Sequence, residues 1–170
     1  MRKIVVLILT LALVFSLAAC GGSDEVTLVE TTTEQGITLV LPSDMPLQTV
    51  NGATTYINTE TGDNATFVVS EVGDTPISDW TEDTVIATFQ PSYPDVAIAS
   101  FENGVSINGQ EALVASLTLT SPKGLPLGIT FVVVTDGTYN YVANFTYGAD
   151  STDSSLAANL QACIDSIQIP

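Results

Sequence analysis

The chain has 170 residues, with 19 acidic residues against 3 basic ones, no histidine, and a formal net charge of −16. The lack of histidine excludes histidine general bases, catalytic triads that use histidine, and histidine-ligated zinc, copper or haem sites. The scarcity of lysine and arginine excludes direct binding of nucleic acid, because basic side chains must neutralise the phosphates. The same charge excludes electrostatic attraction to anionic lipid headgroups.

The amino-terminal segment has the pattern of a bacterial lipoprotein signal. Two basic residues precede an apolar run over residues 4–17, and Leu17-Ala18-Ala19-Cys20 then resembles a lipobox. The resemblance implies that residues 1–19 are removed and that Cys20 is diacylated on sulfur. Acyl chains on Cys20 would hold the protein at the extracytoplasmic face of the cell membrane, since two or three chains anchor firmly where one binds marginally.

Two other interpretations of this segment are a transmembrane helix and a plain secretory signal. The apolar run is about fifteen residues long, whereas a spanning helix needs about 20. The residues after Cys20, Gly-Gly-Ser-Asp-Glu, are typical of a flexible tether. We therefore predict three parts: a signal peptide at 1–19, a lipidated cysteine with its tether at 20–25, and one α+β domain at 26–170.

The predicted mature protein is more acidic than the whole chain. It keeps all 19 acidic residues and has a single basic one, Lys123. This charge fits solubility near a negative surface, a saline habitat or a cation-binding role, so the expected partners are cationic or neutral. Cys163 has no second thiol to pair with, because Cys20 is used for the lipid. Its place on an apolar helical face predicts a buried core residue rather than a reactive thiol.

The first half of the domain alternates short strands with polar turns and then changes to a helix. Ser78 is the predicted N-cap, with Glu82 and Asp83 at the positive end of the helix and Trp80 on its packing face. The predicted elements are strands at 26–30 and 36–41, a loop at 42–46, strands at 54–58 and 65–72 around a turn at 59–64, and a helix at 78–90.

The second half has the pattern of an antiparallel meander followed by a terminal helix. Turns are predicted at Asn103-Gly104, Asn108-Gly109 and Asp136-Gly137, because these pairs adopt the positive φ of hairpin turns. The run at 131–134 does not alternate, so it predicts a central strand covered on both faces. The predicted elements are strands at 96–101, 105–107, 110–119, 127–135 and 138–147, and a helix at 156–167 capped by the 150–153 cluster.

These elements predict an α+β fold with a central, mainly antiparallel sheet and helices packed on it. Gly36–Pro42, the Trp80 helix, the Asn108–Ala112 turn and Ile164–Ile167 together resemble the PsbP-like fold. Photosystem extrinsic subunits, a small Ran-binding protein and many bacterial lipoproteins share that fold. The resemblance covers about residues 26–169 and implies a non-catalytic binding or assembly module, without assigning a role to any residue.

Two acidic loops are candidates for a weak calcium site. Glu60 and Asp63 lie in one predicted loop, and Asp150 and Asp153 lie in the other. Carboxylate oxygens suit calcium, and extracellular modules work with weak affinity. Neither loop has the alternating-acid spacing of a calcium-binding helix–loop–helix motif. Capping of a helix by the 150–153 cluster is the other explanation.

Four aromatic residues share one face of the last predicted strand. They are Tyr139, Tyr141, Phe145 and Tyr147, and their odd spacing places them on the same side of an extended chain. Such a stripe is typical of a sheet face beneath a helix. It is also suited to bind a peptide, a glycan or a partner protein.

The function that this sequence favours is a membrane-anchored, extracytoplasmic lipoprotein acting as a non-catalytic binding or accessory module. Its expected partners are the membrane, through the lipid, and an envelope protein or small ligand. The alternative is a weak calcium- or cation-binding envelope module, and otherwise no cofactor is expected. A hydrolase is the third hypothesis, although the sequence contains no Gly-x-Ser-x-Gly elbow and no histidine.

Replacing Cys20 with Ala tests the anchor, because alanine has no sulfur to acylate. We expect Cys20→Ala to move from the detergent phase to the aqueous phase in a detergent partition of whole cells, and to incorporate no labelled palmitate. Cys163→Ala is the matched control and should stay in the detergent phase. Detergent-phase recovery of Cys20→Ala equal to that of the native chain would contradict the prediction.

Overall fold

The computed structural model describes residues 26–50 and 53–170, so the predicted signal, Cys20 and its tether lie outside the described residues. One short 3₁₀ turn, Ile77–Asp79, precedes the first helix. The elements in chain order are β1 (Leu28–Thr32), β2 (Thr38–Pro42), β3 (Leu47–Val50), β4 (Ala53–Ile57), β5 (Asn64–Glu71), α1 (Glu82–Phe89), β6 (Ala97–Ile107), β7 (Gln110–Thr120), β8 (Pro126–Thr135), β9 (Tyr139–Gly148) and α2 (Ser155–Asp165).

The strands form one large sheet and one separate hairpin. The seven-stranded sheet has the order β3-β4-β5-β9-β8-β7-β6, and each pairing in it is antiparallel. The hairpin β1-β2 is bound to the end of the chain, where Thr38 and Gln168 exchange backbone hydrogen bonds of 2.9 and 2.8 Å. Among the described residues, no helix has the length and apolarity to cross a membrane. The predicted α+β fold is confirmed.

Strand β8 is buried on both faces, as the 131–134 run predicts. Val132 and Val134 belong to the core cluster beneath α2 and β2, whereas Phe131 and Val133 belong to the cluster beneath α1. Each of these four side chains is at most 4% exposed. Two separate cores, one on each side of the sheet, therefore meet at this strand.

The α1 core is organised around the ring of Phe131. Trp80 stacks on that ring with centroids 6.4 Å apart and planes 8° apart, and Phe89 meets it edge-on at 5.4 Å. Trp80 is therefore a packing residue, as predicted. Stacked and edge-on aromatic pairs stabilise a core beyond the area that they bury.

The predicted start of α1 at Ser78 is wrong by three residues. Ser78 lies in the 3₁₀ turn, and Thr81 is the N-cap. The Thr81 Oγ1 accepts from the backbone N of Thr84 at 3.4 Å, while the backbone N of Thr81 donates to the Thr84 Oγ1 at 3.3 Å. This reciprocal capping box satisfies two otherwise free donors, which a single serine at position 78 does not do.

The predicted turn at Asn103-Gly104 is also wrong, because β6 runs through it as one strand with a bulge. Gly104 has a φ of +75°, which the bulge requires. The Asn103 Nδ2 donates to the backbone carbonyls of Ile77, Ser78 and Trp80 at 2.8, 3.2 and 2.9 Å. The Asn103 side chain therefore fixes the 3₁₀ turn to β6, at the edge of the sheet. Asn108-Gly109 does form the predicted turn, with φ of 48° and 85°.

The amino-terminal end of α2 also differs from the prediction. Ser154, not the 150–153 cluster, is the N-cap, and its Oγ accepts from the backbone N of Ala157 at 2.9 Å. The predicted helical face at Leu156, Cys163 and Ile164 is buried, and the helix ends at Asp165. Strand β3 was not predicted, because its four residues have no alternating apolar pattern.

Replacing Asn103 with Ala should destabilise the protein by about 1–3 kcal/mol, because two partly buried carbonyl oxygens, of Ile77 and Trp80, lose their amide donor. The measurement is urea unfolding followed by Trp80 fluorescence. Asn159→Ala is the control: its Nδ2 makes one bond, to the carbonyl of Ser155, and alanine favours a helix. An equal loss of stability in both variants would contradict the role given to Asn103.

Candidate functional site: the groove beside α2

Helix α2 covers only part of one sheet face and leaves an open groove beside it. The helix packs against β2 and β9, whereas the groove floor is made by β6, β7 and β8. The groove has a volume of about 470 Å³. Ala157, Ala158, Leu160 and Gln161 of α2 form its wall.

A row of hydroxyl groups crosses the groove floor. Ser100 of β6 pairs with Ser116 of β7, which pairs with Thr130 of β8. Neighbouring strands lie about 4.8 Å apart, so the three side chains follow one another at that spacing across one face. Thr130 is only 1% exposed, and its Oγ1 lies 3.4 Å from the Tyr147 hydroxyl oxygen.

Apolar side chains lie next to this row. Val105 and Val114 line the floor, and Leu160 and Ile164 line the helix side. Strand β7 contributes one residue of each kind, because Val114 and Ser116 both face the groove while Ala115 and Leu117 point into the α1 core. The groove therefore combines a hydroxyl row with an apolar surface.

The charged residues of the groove are both acidic. Glu102 lies on the strand side and is exposed, and Asp165 lies at the carboxyl end of α2. The Asp165 Oδ1 accepts from the Gln161 Nε2 at 2.8 Å. Lys123, the one basic residue of the described segments, belongs to the β7–β8 turn and does not line the groove.

A smaller cavity of about 290 Å³ lies where the chain end crosses the sheet. Ile107, Val134 and residues 167–169 line it, with the amide side chains of Asn108 and Gln110. The Asn108 Nδ2 donates to the carbonyls of Asp165 and Ile167 at 3.0 and 2.7 Å. No titratable side chain lines this cavity among the described residues, and Asn108 holds residues 167–169, which form the strap on one side of it, in place.

The four calcium candidates occupy two kinds of environment. Asp63 is fully buried: its Oδ2 accepts from the Ser154 Oγ at 2.8 Å, and its Oδ1 has no hydrogen-bond partner in the described part of the chain. Glu60, Asp150 and Asp153 are exposed. Within 26–50 and 53–170, no group of three or more His, Cys, Asp or Glu side chains is placed to hold a metal ion. Calcium binding stays a prediction.

The aromatic stripe lies mostly inside the protein. Tyr141 and Phe145 are 7% and 0% exposed and belong to the α2 core, and Tyr147 packs against that core. Burial and the nearby Asp136 carboxylate raise the pKa of Tyr141. Tyr139 is the member with a large exposed surface, at 40%. The stripe is thus mostly a sheet face beneath a helix, and binding through Tyr139, Tyr141 and Tyr147 stays a prediction.

Cys163 is a buried core residue, as predicted. Its side chain is 0% exposed. Burial raises the pKa of its thiol to about 12, because the thiolate is poorly solvated there. The thiol is therefore unreactive at neutral pH.

None of the groove residues was identified from the sequence as a candidate functional residue. One sequence feature of the groove is visible in β7, where Ser116, Thr118 and Thr120 alternate with Leu117 and Leu119. Such alternation indicates a strand with one solvent-facing side. It does not show that α2 lies beside that side, because α2 follows more than thirty residues later in the chain.

The fold is shared with several solved structures. The chain superposes on the PsbP protein of the cyanobacterium Synechocystis with a TM-score of 0.62 and 15% identity, covering 91% of this chain and 99% of that one. A variant of the protein Mog1 gives a TM-score of 0.58 and 13% identity, covering 84% of this chain and 96% of the other. The chain therefore has a PsbP-like α+β fold.

These likenesses establish the fold alone. LpqN of Mycobacterium tuberculosis, described as involved in cell envelope biogenesis, has 14% identity over 86% of this chain and 91% of its own length. Its TM-score of 0.49 is too low to support an inference about this chain. No protein-family model and no curated protein sequence matches the chain.

Proposed function

We propose that the protein is a lipoprotein, anchored at the extracytoplasmic face of the cell membrane through Cys20, that binds a partner in the α2 groove. The groove carries the proposal. It is a concave part of the sheet that neither helix covers, and it has both hydroxyl and apolar groups on its floor. Concave sites with a few convergent polar groups among apolar ones are typical of ligand binding.

The groove residues favour binding over catalysis. A serine nucleophile needs a general base or a lowered pKa to become reactive. Among the residues that the structure describes, no basic side chain lies beside Ser100 and Ser116 in the groove, and the chain contains no histidine. The two groove carboxylates are those of Glu102 on β6 and of Asp165 at the carboxyl end of α2. Both can accept hydrogen bonds from donors on a ligand.

The tether fits a partner that also lies at the membrane. Six peptide units connect Cys20 to Val26, so they span about 20 Å when fully extended. An acylated Cys20 would hold the domain close to the bilayer, within reach of other envelope proteins. Because of the acidity of the chain, the lipid would be its contact with the membrane, and the groove would remain free for a second molecule.

A photo-crosslinking amino acid at Ala158 tests whether the groove is occupied in cells. Ala158 is exposed on the groove wall, and the matched control is Thr88, exposed on α1 at the other side of the sheet. We expect discrete adducts from Ala158 and few or none from Thr88, measured by gel mobility and mass spectrometry. Identical adduct patterns at both sites, or no adduct at Ala158, would overturn the proposed function.

A further inference from the structure

We infer that the α2 groove receives a lysine or arginine side chain of a partner protein, an inference that rests on the proposed function and specifies its ligand. Three properties of the groove carry it. They are the mixed apolar and polar lining, the sign of its charge, and the carboxyl end of α2, whose last turn has no basic residue.

The lining matches an amphipathic side chain. Lysine and arginine have an apolar stem and a charged head, and they pack the stem on apolar surface while the head stays near water or a carboxylate. Val105, Val114 and Leu160 provide the apolar surface in the groove. Its 470 Å³ volume and open side admit a long side chain together with some of its backbone.

The charge of the groove selects a cation. Glu102 and Asp165 come from different elements but line the same groove, and no cationic side chain of residues 26–50 or 53–170 lines it with them. Glu102 makes no side-chain hydrogen bond within the described part of the chain, and Asp165 uses one carboxylate oxygen for Gln161. Both carboxylates therefore have lone pairs available for a donor from outside.

The end of α2 adds to this negative potential. The carboxyl end of a helix carries partial negative charge, which lysine or arginine in the last turn usually offsets. The last turn of α2 has no basic residue, and its final residue is Asp165. A carboxylate is unfavourable at this position unless a cation lies near it, and a partner's lysine or arginine would provide one.

The hydroxyl row completes the site. Ser100 and Ser116 offer oxygen acceptors on neighbouring strands of the floor, and the buried Thr130 next to them is bonded to the Tyr147 hydroxyl. An ammonium has three donors and a guanidinium has five, with no acceptor in either. The hydroxyl and carboxylate oxygens of the groove are the acceptors that such a cationic head needs, whereas an anionic ligand would face the two carboxylates.

Fluorescence anisotropy with a labelled tetralysine peptide tests the inference on the full chain, solubilised in a non-ionic detergent. The groove variant is Glu102→Gln with Asp165→Asn. The control variant, Glu30→Gln with Glu71→Gln, removes the same charge from two exposed strand residues outside the groove. We expect the native chain to bind saturably and the groove variant to bind about tenfold more weakly, because two exposed charge pairs are lost. The control should bind within about twofold of the native chain, since its groove charges are intact.

Three results of the anisotropy measurement would overturn the inference. They are an absence of saturable binding by the native chain, an equal loss in the control, and stronger binding of tetraglutamate than of tetralysine.

Repeating the Ala158 cross-linking in the groove variant separates this inference from the proposed function. Loss of the adducts supports the cationic partner. Unchanged adducts overturn it and leave the groove as the binding site of another kind of molecule.

Discussion

The structure depends on covering both faces of β8. Phe131 and Val133 point to one side of the sheet and Val132 and Val134 to the other, so each side needs a layer that excludes water. Burying an aliphatic or aromatic side chain of this size contributes about 1.5–3 kcal/mol, and the contribution is lost wherever the cover is missing. On one side the cover is α1 with Trp80. On the other side it is α2 with β2, and asparagine side chains fix both covers: Asn103 holds the turn before α1, and Asn108 holds the strap after α2.

The α2 cover is too small for its face. A helix of 11 residues is about 16 Å long, whereas a seven-stranded sheet is about 29 Å wide. Helix α2 lies against β9 and β2, so the β6 and β7 side of the face remains open. The covered part of this face has Val132 and Val134, whereas Ser100, Ser116 and Thr130 line the groove. The groove forms where the covered and open parts of the face meet. In the proposed function, this mismatch between helix and sheet creates the binding site, and the acidity of Glu102 and Asp165 sets the sign of its ligand.

Much of the fold was predictable from the sequence because its strands carry clear local signals. The apolar run at 131–134 predicted the central strand, and the φ preference of Asn108-Gly109 predicted a turn that the structure contains. The errors at Ser78 and at Asn103 have different causes, which are competition between equivalent local signals in the first case and long-range hydrogen bonds in the second. Ser78 and Thr81 are both good N-caps, and Thr81 forms the reciprocal bonds with Thr84. Asn103-Gly104 has the sequence of a turn, yet the amide of Asn103 binds three carbonyls of a segment more than twenty residues earlier. The groove depends on the same kind of long-range placement, since Ser100 and Leu160 become neighbours only in the folded chain.

Thiol protection in intact cells tests the central claim, that the uncovered sheet face is the occupied binding surface, most directly. Ser116→Cys places a thiol on the groove floor, and Thr88→Cys places one on the exposed face of α1. Cys163 does not interfere, because burial raises the pKa of its thiol to about 12. We expect a membrane-impermeant maleimide to label both variants of the purified chain. In intact cells, we expect it to label Ser116→Cys much more slowly than Thr88→Cys, so that the ratio of the two rates falls. Equal ratios of the two labelling rates in cells and in the purified protein would contradict it.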